Sequence, residues 1–271
     1  MKKILSLILA ATLLLTIGLF SGCGKTEDSS KQKLIVGFDA EGFAPFGFLS
    51  TDGDPVYDVY DGFDLALAKE LCSRLGWDFE AKPIDWNSKD AELKSGSINC
   101  IWNGFTYTGR ENDYDWSSPY VDNSIVAVVT KDSGIKTLAD LAGKSVMAQT
   151  GSSAVDGINS NEAFASSLKE VIELPGYDTG FLELNQGTVD AVAADLGVAK
   201  YQIANNTGSY VILDEPISTE QYAVGFLKGN TALRDTVNAE LLKMAEDGTM
   251  MTIAKEYEQY GLTLNSLCLC K

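Results

Sequence analysis

The sequence contains no histidine among its 271 residues. A Ser-His-Asp triad, a Cys-His dyad and the usual zinc sites all need an imidazole, so these kinds of site are excluded. Basic residues are scarce too: 21 Lys and Arg stand against 38 Asp and Glu, a formal charge of −17. Nucleic acid and anionic membrane surfaces would repel such a chain, so neither is an expected partner. We expect no metal and no cofactor.

A long apolar run occurs only at the N-terminus. Two lysines precede an apolar stretch over residues 4–20, shorter than the roughly 20 residues that a membrane-spanning helix needs. The stretch leads into FSGC at residues 20–23, which is similar to a lipobox. We therefore predict a signal peptide over residues 1–22, a lipid on Cys23 that anchors the protein to the extracytoplasmic face of the cell membrane, and a flexible tether over residues 23–32. An uncleaved membrane anchor is the alternative.

Four further cysteines follow. Cys72 and Cys100 lie in a helical and a strand pattern, where small buried cysteines are common. Cys268 and Cys270 have a spacing that matches no recognisable metal or redox motif. We expect free thiols at all four positions, and a disulfide between Cys72 and Cys100 stays open.

Strand-like and helix-like patterns alternate along the rest of the chain. Leu34–Phe38 is predicted to form a strand, and an apolar residue every fourth position over 63–75, followed by Gly76, predicts a helix and its end. Repeated βα units favour an α/β fold with mostly parallel sheets between helices. Further strands are predicted at 77–81, 97–102, 125–130, 145–148, 171–174 and 191–194, and further helices from Thr137, after Ser152 and near 179–185.

The most informative stretch is residues 101–110. It places Arg110 among hydroxyls, a carboxamide and glycines, after an apolar run that is typical of a strand end. A guanidinium can grip a carboxylate with two parallel hydrogen bonds, which suits the carboxylate of a small molecule. The alternative is a surface loop in which Arg110 pairs with Glu111 or Asp113.

Other polar residues also follow predicted strands. In open α/β sheets ligands collect at the carboxyl ends of strands, which selects Asp39, residues 103–106, residues 149–153 and Asp195. The start of the helix after Ser152 also favours an anion. Plain helix capping is the structural alternative for residues 149–153 and for Asp195.

The run from Asn103 to Arg110, followed by WSSPY at 116–120, resembles the binding-site strand of polar amino-acid-binding proteins of ABC importers, solute-binding family 3. The spacer before Arg110 is one residue shorter than the family pattern. The resemblance extends over nearly the whole mature chain. It implies a two-lobed periplasmic-binding-protein-like fold (type II), with a mostly parallel sheet flanked by helices in each lobe. Lobe 1 would be residues 33–121 plus 218–271, and lobe 2 residues 122–217.

The resemblance also implies roles for single residues. Arg110 would bind the ligand's carboxylate, Asp195 would take its α-ammonium, and Phe43 and Trp86 would flank its side chain, with Phe46 as the alternative aromatic. Residues that border the side-chain pocket are polar, which favours a polar amino acid with a neutral or cationic side chain. The complete implied set is Asp39, Phe43, Trp86, Asn103, Gly104, Thr106, Arg110, Gln149, Ser153 and Asp195.

The function implied is capture of a free amino acid by closure of the two lobes, followed by delivery to an ABC transporter permease. One alternative is a secreted dehydratase-like enzyme on the same fold, for which Asp39 and Asp195 are the candidate proton donors. The other is the sensory domain of a receptor, which would continue into membrane and signalling segments, whereas this sequence ends shortly after Gly261.

Overall fold

The computed structural model describes residues 31–50, 55–206 and 208–271. Two main β-sheets with helices packed against them account for most of these residues. The predicted signal peptide, the lipid attachment site at Cys23 and the predicted tether up to residue 30 lie outside the described residues. Within the described ranges, no helix is both long enough and apolar enough to cross a membrane.

The first sheet has five strands, and one of them comes from far along the chain. Across the sheet they are β4 (Asp78–Pro83), β1 (Lys33–Phe38), β5 (Cys100–Ile101), β13 (Gly225–Phe226) and β6 (Asp115–Trp116). β1 pairs in parallel with β4 and β5, whereas β13 pairs antiparallel with β5 and β6. The chain therefore leaves this sheet after β6 and returns to it at β13. A separate hairpin pairs β2 (Phe48–Leu49) with β3 (Tyr60–Asp61).

The second sheet has six strands. They are β11 (Tyr210–Ile212), β7 (Val121–Thr130), β10 (Ala191–Asp195), β8 (Ser145–Gln149) and β9 (Glu170–Leu174), with β12 (Ser218–Tyr222) also paired to β7. β8 runs parallel to β9 and β10, and β7 runs antiparallel to β10, β11 and β12. β7 and β12 lie side by side, at the start and the end of this sheet's part of the chain.

Helices surround both sheets. In the described ranges the α-helices are α1 (Phe63–Leu75), α2 (Lys89–Ser95), α3 (Ser153–Ser160), α4 (Glu162–Ser167), α5 (Tyr177–Gln186), α6 (Leu196–Asn205), α7 (Thr231–Glu246) and α8 (Thr249–Glu256). Short 3₁₀ helices occur at Trp86–Ser88, Leu138–Leu141, Glu258–Tyr260, Leu264–Ser266 and Cys268–Cys270.

Helix α1 shows how directly the sequence pattern determines a helix here. Phe63, Leu67 and Leu71 recur every four residues on one face, and all three are fully buried. Gly76 ends the helix in the left-handed conformation with φ of 68°, and its amide bonds back to Ser73. The predicted helix and its end at Gly76 are confirmed.

The sheets are more mixed than predicted. A mostly parallel sheet in each lobe was expected, but the strands that carry the chain between the sheets, β7, β12 and β13, make only antiparallel pairs. A parallel pair needs a long crossover connection, usually a helix, and no helix lies between β11 and β12 or between β12 and β13, so these strands pair antiparallel. The predictions from local pattern were also too long at 97–102, where only β5 forms, and at Thr137, which opens a single 3₁₀ turn with a capping box to Asp140.

One apolar core connects the two sheets. The largest buried cluster contains Phe38 from β1 and Met147 from β8, together with aromatic rings between them. Phe43 lies 6.0 Å from Tyr177 between ring centroids, and Phe46 lies 5.1 Å from the ring of Tyr222. The two halves of the described chain are therefore packed against each other through aromatic side chains.

The four cysteines of the described chain are free thiols. Cys72 and Cys100 are buried, and burial raises the pKa of the Cys72 thiol to about 12. Thiolate, not thiol, is the reactive form, so Cys72 is chemically inert near neutral pH. Cys268 and Cys270 are half-buried in the last described turn.

The fold predicts an unequal cost for two glycine substitutions. Gly62 precedes α1 with φ of 147°, and a Cβ there would overlap the carbonyl of Phe46. Gly187, with φ of 73°, ends α5 with nothing within 4 Å of a Cβ. Gly187→Ala should lower the free energy of unfolding by about 1 kcal/mol, the cost of a left-handed non-glycine residue. Gly62→Ala should lower it by at least about twice that, because backbone must also move. Urea denaturation measures both, and equal losses would contradict the close approach.

Candidate ligand-binding site

Strand ends from both sheets meet at one place. Asp39 follows β1, Asn103 follows β5 and Gln149 ends β8, and each is at most 4% exposed. The Asp39 amide donates to Asn103 Oδ1 at 2.9 Å. Gln149 Nε2 donates to the Asp39 carboxylate and, at 2.9 Å, to the carbonyl of Pro175. The structure therefore brings together three of the predicted site residues from two different sheets.

Asp39 is a buried acid at this junction. Burial raises its pKa to about 6, although hydrogen bonds from the Glu41 amide and from Gln149 favour the charged form. Near neutral pH the group is a buried anion without a described ion pair. A cationic group beside it would be stabilised.

Two nearly parallel aromatic rings stand beside these polar residues. The rings of Phe43 and Trp86 are 6.5 Å apart between centroids with an interplanar angle of 16°, and both residues are buried. Phe46 instead packs edge-on against Tyr222. Of the two aromatics that the sequence left open, Phe43 is the one that faces Trp86. A Cβ on Gly104 would lie 2.7 Å from the Phe43 ring, so Gly104 makes room for that ring.

A cavity of about 220 Å³ opens at the same place. Three carboxylates line it, from Asp39, Glu41 and Asp85, and no lysine or arginine is among its lining residues. Its electrostatic environment therefore favours a positively charged group. The remaining lining residues are Ala40, Pro83, Ile84, Trp86 and Pro175.

Arg110 reaches from the first half of the chain to the second. Its Nη2 pairs with Asp156 Oδ2 at 2.8 Å, and Asp156 is in the first turn of α3, the helix that follows strand β8 of the second sheet. The guanidinium carbon is 5.6 Å from the centroid of the Phe105 ring. The Arg110 side chain is 16% exposed, while that of Asp156 is 69% exposed. The predicted surface pairing with Glu111 or Asp113 is not what the structure shows, and Arg110 faces the opposite half of the molecule.

The shortened approach to Arg110 is a tight turn. The Arg110 amide donates to the Tyr107 carbonyl at 3.0 Å, and Gly109 within the turn has φ of 81°. Only glycine adopts that conformation readily. The Arg110 carbonyl accepts from Trp116 Nε1 at 3.0 Å, which fixes the turn to the first sheet. The turn through Gly109 therefore fixes the backbone of Arg110 next to the first sheet.

Lys89 is a second cation near Arg110, and sequence reasoning missed it. Its Nζ donates to the Gly151 carbonyl at 3.1 Å and lies 5.2 Å above the Trp86 ring. Burial, and secondly the nearby charge of Arg110, lowers its pKa to about 8. Lys89 and Arg110 together make this side of the cleft positive, and Lys89 ties the first half of the chain to the loop before α3.

Asp195 is buried at the end of β10. It accepts hydrogen bonds from Asn123 Nδ2 at 2.9 Å, from the Tyr177 hydroxyl at 3.0 Å and from the Tyr222 hydroxyl. Its side chain makes no capping bond to α6, although its backbone is at the cap position. Burial raises the pKa of this carboxyl. The carboxylate thus bonds to side chains of β7, α5 and β12 and does not cap the helix that follows it.

Glu220 on β12 is a further buried acid that sequence reasoning missed. Its Oε1 accepts from Asn123 Nδ2 at 2.8 Å and from Thr106 Oγ1 at 3.2 Å, and Ser153 also contributes a hydrogen bond. Burial, followed by the charge of Asp195, raises its pKa to about 7. The alternation along β12 places it on the buried face with Tyr222, which is the one signal that the sequence carried.

Gly104 is held from behind by Asp64 in α1. Asp64 Oδ2 accepts from the Gly104 amide at 2.6 Å and from the Tyr120 hydroxyl at 2.7 Å. The Gly104 amide is therefore already used inside the first half of the molecule. Asp64 is fully buried, and it fixes the backbone between Asn103 and Thr106 from the core side.

Two sheets whose strand ends meet around buried carboxylates and a guanidinium define a two-lobed solute-binding protein of the type II periplasmic-binding fold. Residues 34–260 match the model of the bacterial extracellular solute-binding proteins, family 3, and the chain belongs to that family. The fold class predicted from the sequence and the resemblance to this family are confirmed.

Named relatives agree with this assignment. The chain is 28% identical to the L-cystine-binding protein TcyJ of Escherichia coli K12, over 83% of this chain and 82% of the relative. It is 29% identical to the arginine-binding extracellular protein ArtP of Bacillus subtilis, over 95% and 98%.

Solved structures give the same fold. A substrate-binding protein of an ABC uptake transporter from Streptococcus pneumoniae, with bound histidine, matches with a TM-score of 0.78 at 30% identity, over 85% of this chain and 94% of that one. An ancestral amino-acid-binding protein that is a precursor of cyclohexadienyl dehydratase matches with a TM-score of 0.72 at 28% identity, over 83% and 95%.

The buried acid behind Gly104 predicts a pH dependence of stability. Burial raises the Asp64 pKa from 3.8 to about 7, so folding favours its protonated form. Its stabilising contribution is fully present below pH 3.8 and is lost as the pH rises through about 7. Asp64→Asn cannot ionise, so its stability relative to the wild type should rise between pH 4 and pH 8, by at most about 1.4 kcal/mol per pH unit. Denaturation at several pH values measures this difference.

The exposed Asp235, replaced by Asn, is the control and should follow the wild-type profile. An Asp64→Asn profile parallel to the wild type would show that Asp64 is not neutralised on folding.

Proposed function

We propose that this protein captures a free amino acid with a polar, neutral or cationic side chain between two closing lobes and delivers it to an ABC transporter permease. The observation that carries the proposal is that buried or partly buried groups of both charges are present where the two sheets meet. Arg110 and Lys89 are nearby positive groups, and Asp195 and Glu220 are buried acids that share the Asn123 amide. That arrangement is complementary to the carboxylate and the ammonium of a zwitterion.

The carboxylate of the amino acid binds at Arg110. The guanidinium has five N–H donors, and only one nitrogen is engaged by Asp156. Because Asp156 is largely exposed, that pair contributes about 0–1 kcal/mol and is readily exchanged. Thr106 supplies a hydroxyl on the same side, and the Lys89 ammonium adds positive charge.

The α-ammonium binds at Asp195, whose hydrogen bonds come from neutral groups. Ser153 lies at the start of α3, next to the same acids. These contacts support the role implied for Asp195 by the family resemblance, and Ser153, expected to assist Arg110 at the ligand's carboxylate, bonds to Glu220 in the structure.

The side chain enters the cavity beside Asp39 and Gln149. Trp86, which packs parallel to the Phe43 ring, gives it apolar surface, and the three lining carboxylates favour a cationic end. Asn103 completes the polar wall through its bond to Asp39. Two named relatives, the arginine-binding protein of B. subtilis and the histidine-bound protein of S. pneumoniae, make cationic amino acids the first candidates.

The affinity follows from a few strong hydrogen bonds. Charge-assisted bonds contribute about 1.5–3 kcal/mol each, and micromolar binding needs about 8 kcal/mol. Three or four net bonds reach that value after the cost of closure. The closing lobes are residues 33–121 plus 218–271 and residues 122–217, which rotate about the paired strands β7 and β12.

We also propose that a lipid on Cys23 holds the protein at the outer face of the cell membrane, with residues 1–22 removed and residues 23–32 as a tether. Family membership supports an extracellular location. Mass spectrometry of the protein purified from membranes should show an acylated N-terminal cysteine.

Binding without chemistry is the simpler function, because the named relatives are binding proteins. One structural neighbour is a precursor of a dehydratase, and Asp39 has a pKa near 6, as a proton donor would need. Mass spectrometry of candidate ligands after incubation decides between the two, since an altered product would establish an enzyme.

A screen of all common amino acids and cystine, by thermal shift and then by calorimetry, tests the proposal. Arg110→Ala should weaken binding of the amino acid that the wild type prefers by about 2–5 kcal/mol, because a partly buried carboxylate contact is lost. Its thermal stability should stay close to that of the wild type.

Arg234→Ala, which removes another arginine with a surface ion pair, is the control and should bind normally. A wild type that binds no amino acid would refute the proposed function, and full affinity in Arg110→Ala would remove Arg110 from it.

Asp195→Asn tests the ammonium contact separately. It should weaken binding of the α-amino ligand by about 2–5 kcal/mol and leave the deaminated analogue almost unaffected, because only the ammonium needs the charge. Asp190→Asn is the matched control, since Asp190 bonds to the Ser145 amide away from the cleft. An equal loss for both ligands would assign Asp195 a structural role. Calorimetry measures all four combinations.

A further inference from the structure

A second buried acid, Glu220, lies beside Asp195 and forms no ion pair within the described part of the chain. Asn123 Nδ2 lies 2.9 Å from Asp195 Oδ1 and 2.8 Å from Glu220 Oε1, so one amide nitrogen bridges the two carboxylates. Both residues are at most 7% exposed. Among the described residues, no lysine or arginine forms an ion pair with either of them.

Two carboxylates at such close range in a buried site repel each other strongly, so one of them must be protonated or a cation must join them. The raised pKa of Glu220 shows that the folded chain by itself favours the proton. Arg110 and Lys89 do not fill this role in the structure, because Arg110 pairs with Asp156 and Lys89 donates to carbonyl oxygens, and neither contacts the two acids.

The alternative is that Glu220 only occupies donors meant for the ligand's carboxylate, since Thr106 and Ser153 both bond to it. Its shared donor with Asp195 argues against this, because it places Glu220 at the ammonium side.

We propose that Glu220 and Asp195 bind the ligand's α-ammonium together, and that this pair makes the site specific for a primary ammonium. The inference rests on the proposed function, because it assigns one more residue to the same site. A primary ammonium has three N–H donors, which two carboxylates and one further oxygen accept in full. An Nα-methyl group replaces one donor with an apolar group between two buried anions. Such ligands should therefore bind poorly.

Calorimetry with L-arginine, L-histidine and L-glutamine, and with the Nα-methyl derivative of each, tests the pair. For whichever amino acid the wild type binds, Glu220→Gln should weaken binding about tenfold or more, as expected for loss of one charge-assisted bond. The preference for the amino acid over its Nα-methyl derivative should shrink in the same variant. Glutamine keeps an oxygen for Asn123 and Thr106, so the fold should persist.

Proton release gives a second readout that a merely structural role would not change. Near pH 7 the ammonium displaces a proton from the acid pair, so binding by the wild type should release protons. Calorimetry in buffers of different ionisation enthalpy measures the number released. Glu220→Gln should release fewer. The titratable groups that face Glu220 are Asp195, Tyr177 and Tyr222, and all three are present in both proteins.

Glu240→Gln is the matched control, since Glu240 is also a buried glutamate but pairs with Arg74 and Lys243 away from the cleft. It should bind as the wild type does. If Glu220→Gln binds as well as this control, or more tightly, Glu220 is not an ammonium ligand and the inference is overturned while the proposed function stands. A wild type that binds none of the common amino acids overturns both.

Discussion

The side-chain amide of Asn123 joins two buried acids, Asp195 and Glu220, at the strands that connect the two sheets. Asn123 and Glu220 are directly paired across β7 and β12, and Asp195 ends the neighbouring strand β10. Directly opposed residues in an antiparallel pair share a face, so the register of two strands is what brings two acids to one donor. A slip of one residue would turn Glu220 out of the cleft and Asn123 away from Asp195. The site thus depends on the pairing of the two strands that connect the sheets.

The distribution of charge in the cleft contrasts with the rest of the chain. The protein as a whole is strongly acidic, yet Arg110 and Lys89 concentrate positive charge at one edge of the cleft. Lys89 is held there by carbonyl oxygens rather than by a carboxylate, which leaves its charge available to an anion. The cavity beside Asp39 is instead lined by three carboxylates, so the two regions differ in the sign of their charge.

Much of this site was predictable because simple rules place residues at strand ends. Asp39, Gln149 and Asp195 each end or follow an apolar strand, and the rule for open sheets selects them from the sequence. Their part in ligand binding stays a prediction, while the structure joins Asp39 directly to Gln149. Glu220 and Asn123 were not predicted as site residues because they lie within strands, and their contact depends on a register between segments almost 100 residues apart. Lys89 was not predicted for a related reason: its partner, the Gly151 carbonyl, belongs to the other half of the fold.

The last described residues are attached to the strands that join the two halves. The Cys268 amide donates to the Tyr120 carbonyl at 3.0 Å, its Sγ lies 3.3 Å from the Pro119 carbonyl, and Lys271 Nζ bonds to Asp122. Residues 119–122 lead into β7, about which the lobes would turn. Because the last turn is bonded to residues 119–122, it would move together with the start of β7 in the proposed closure.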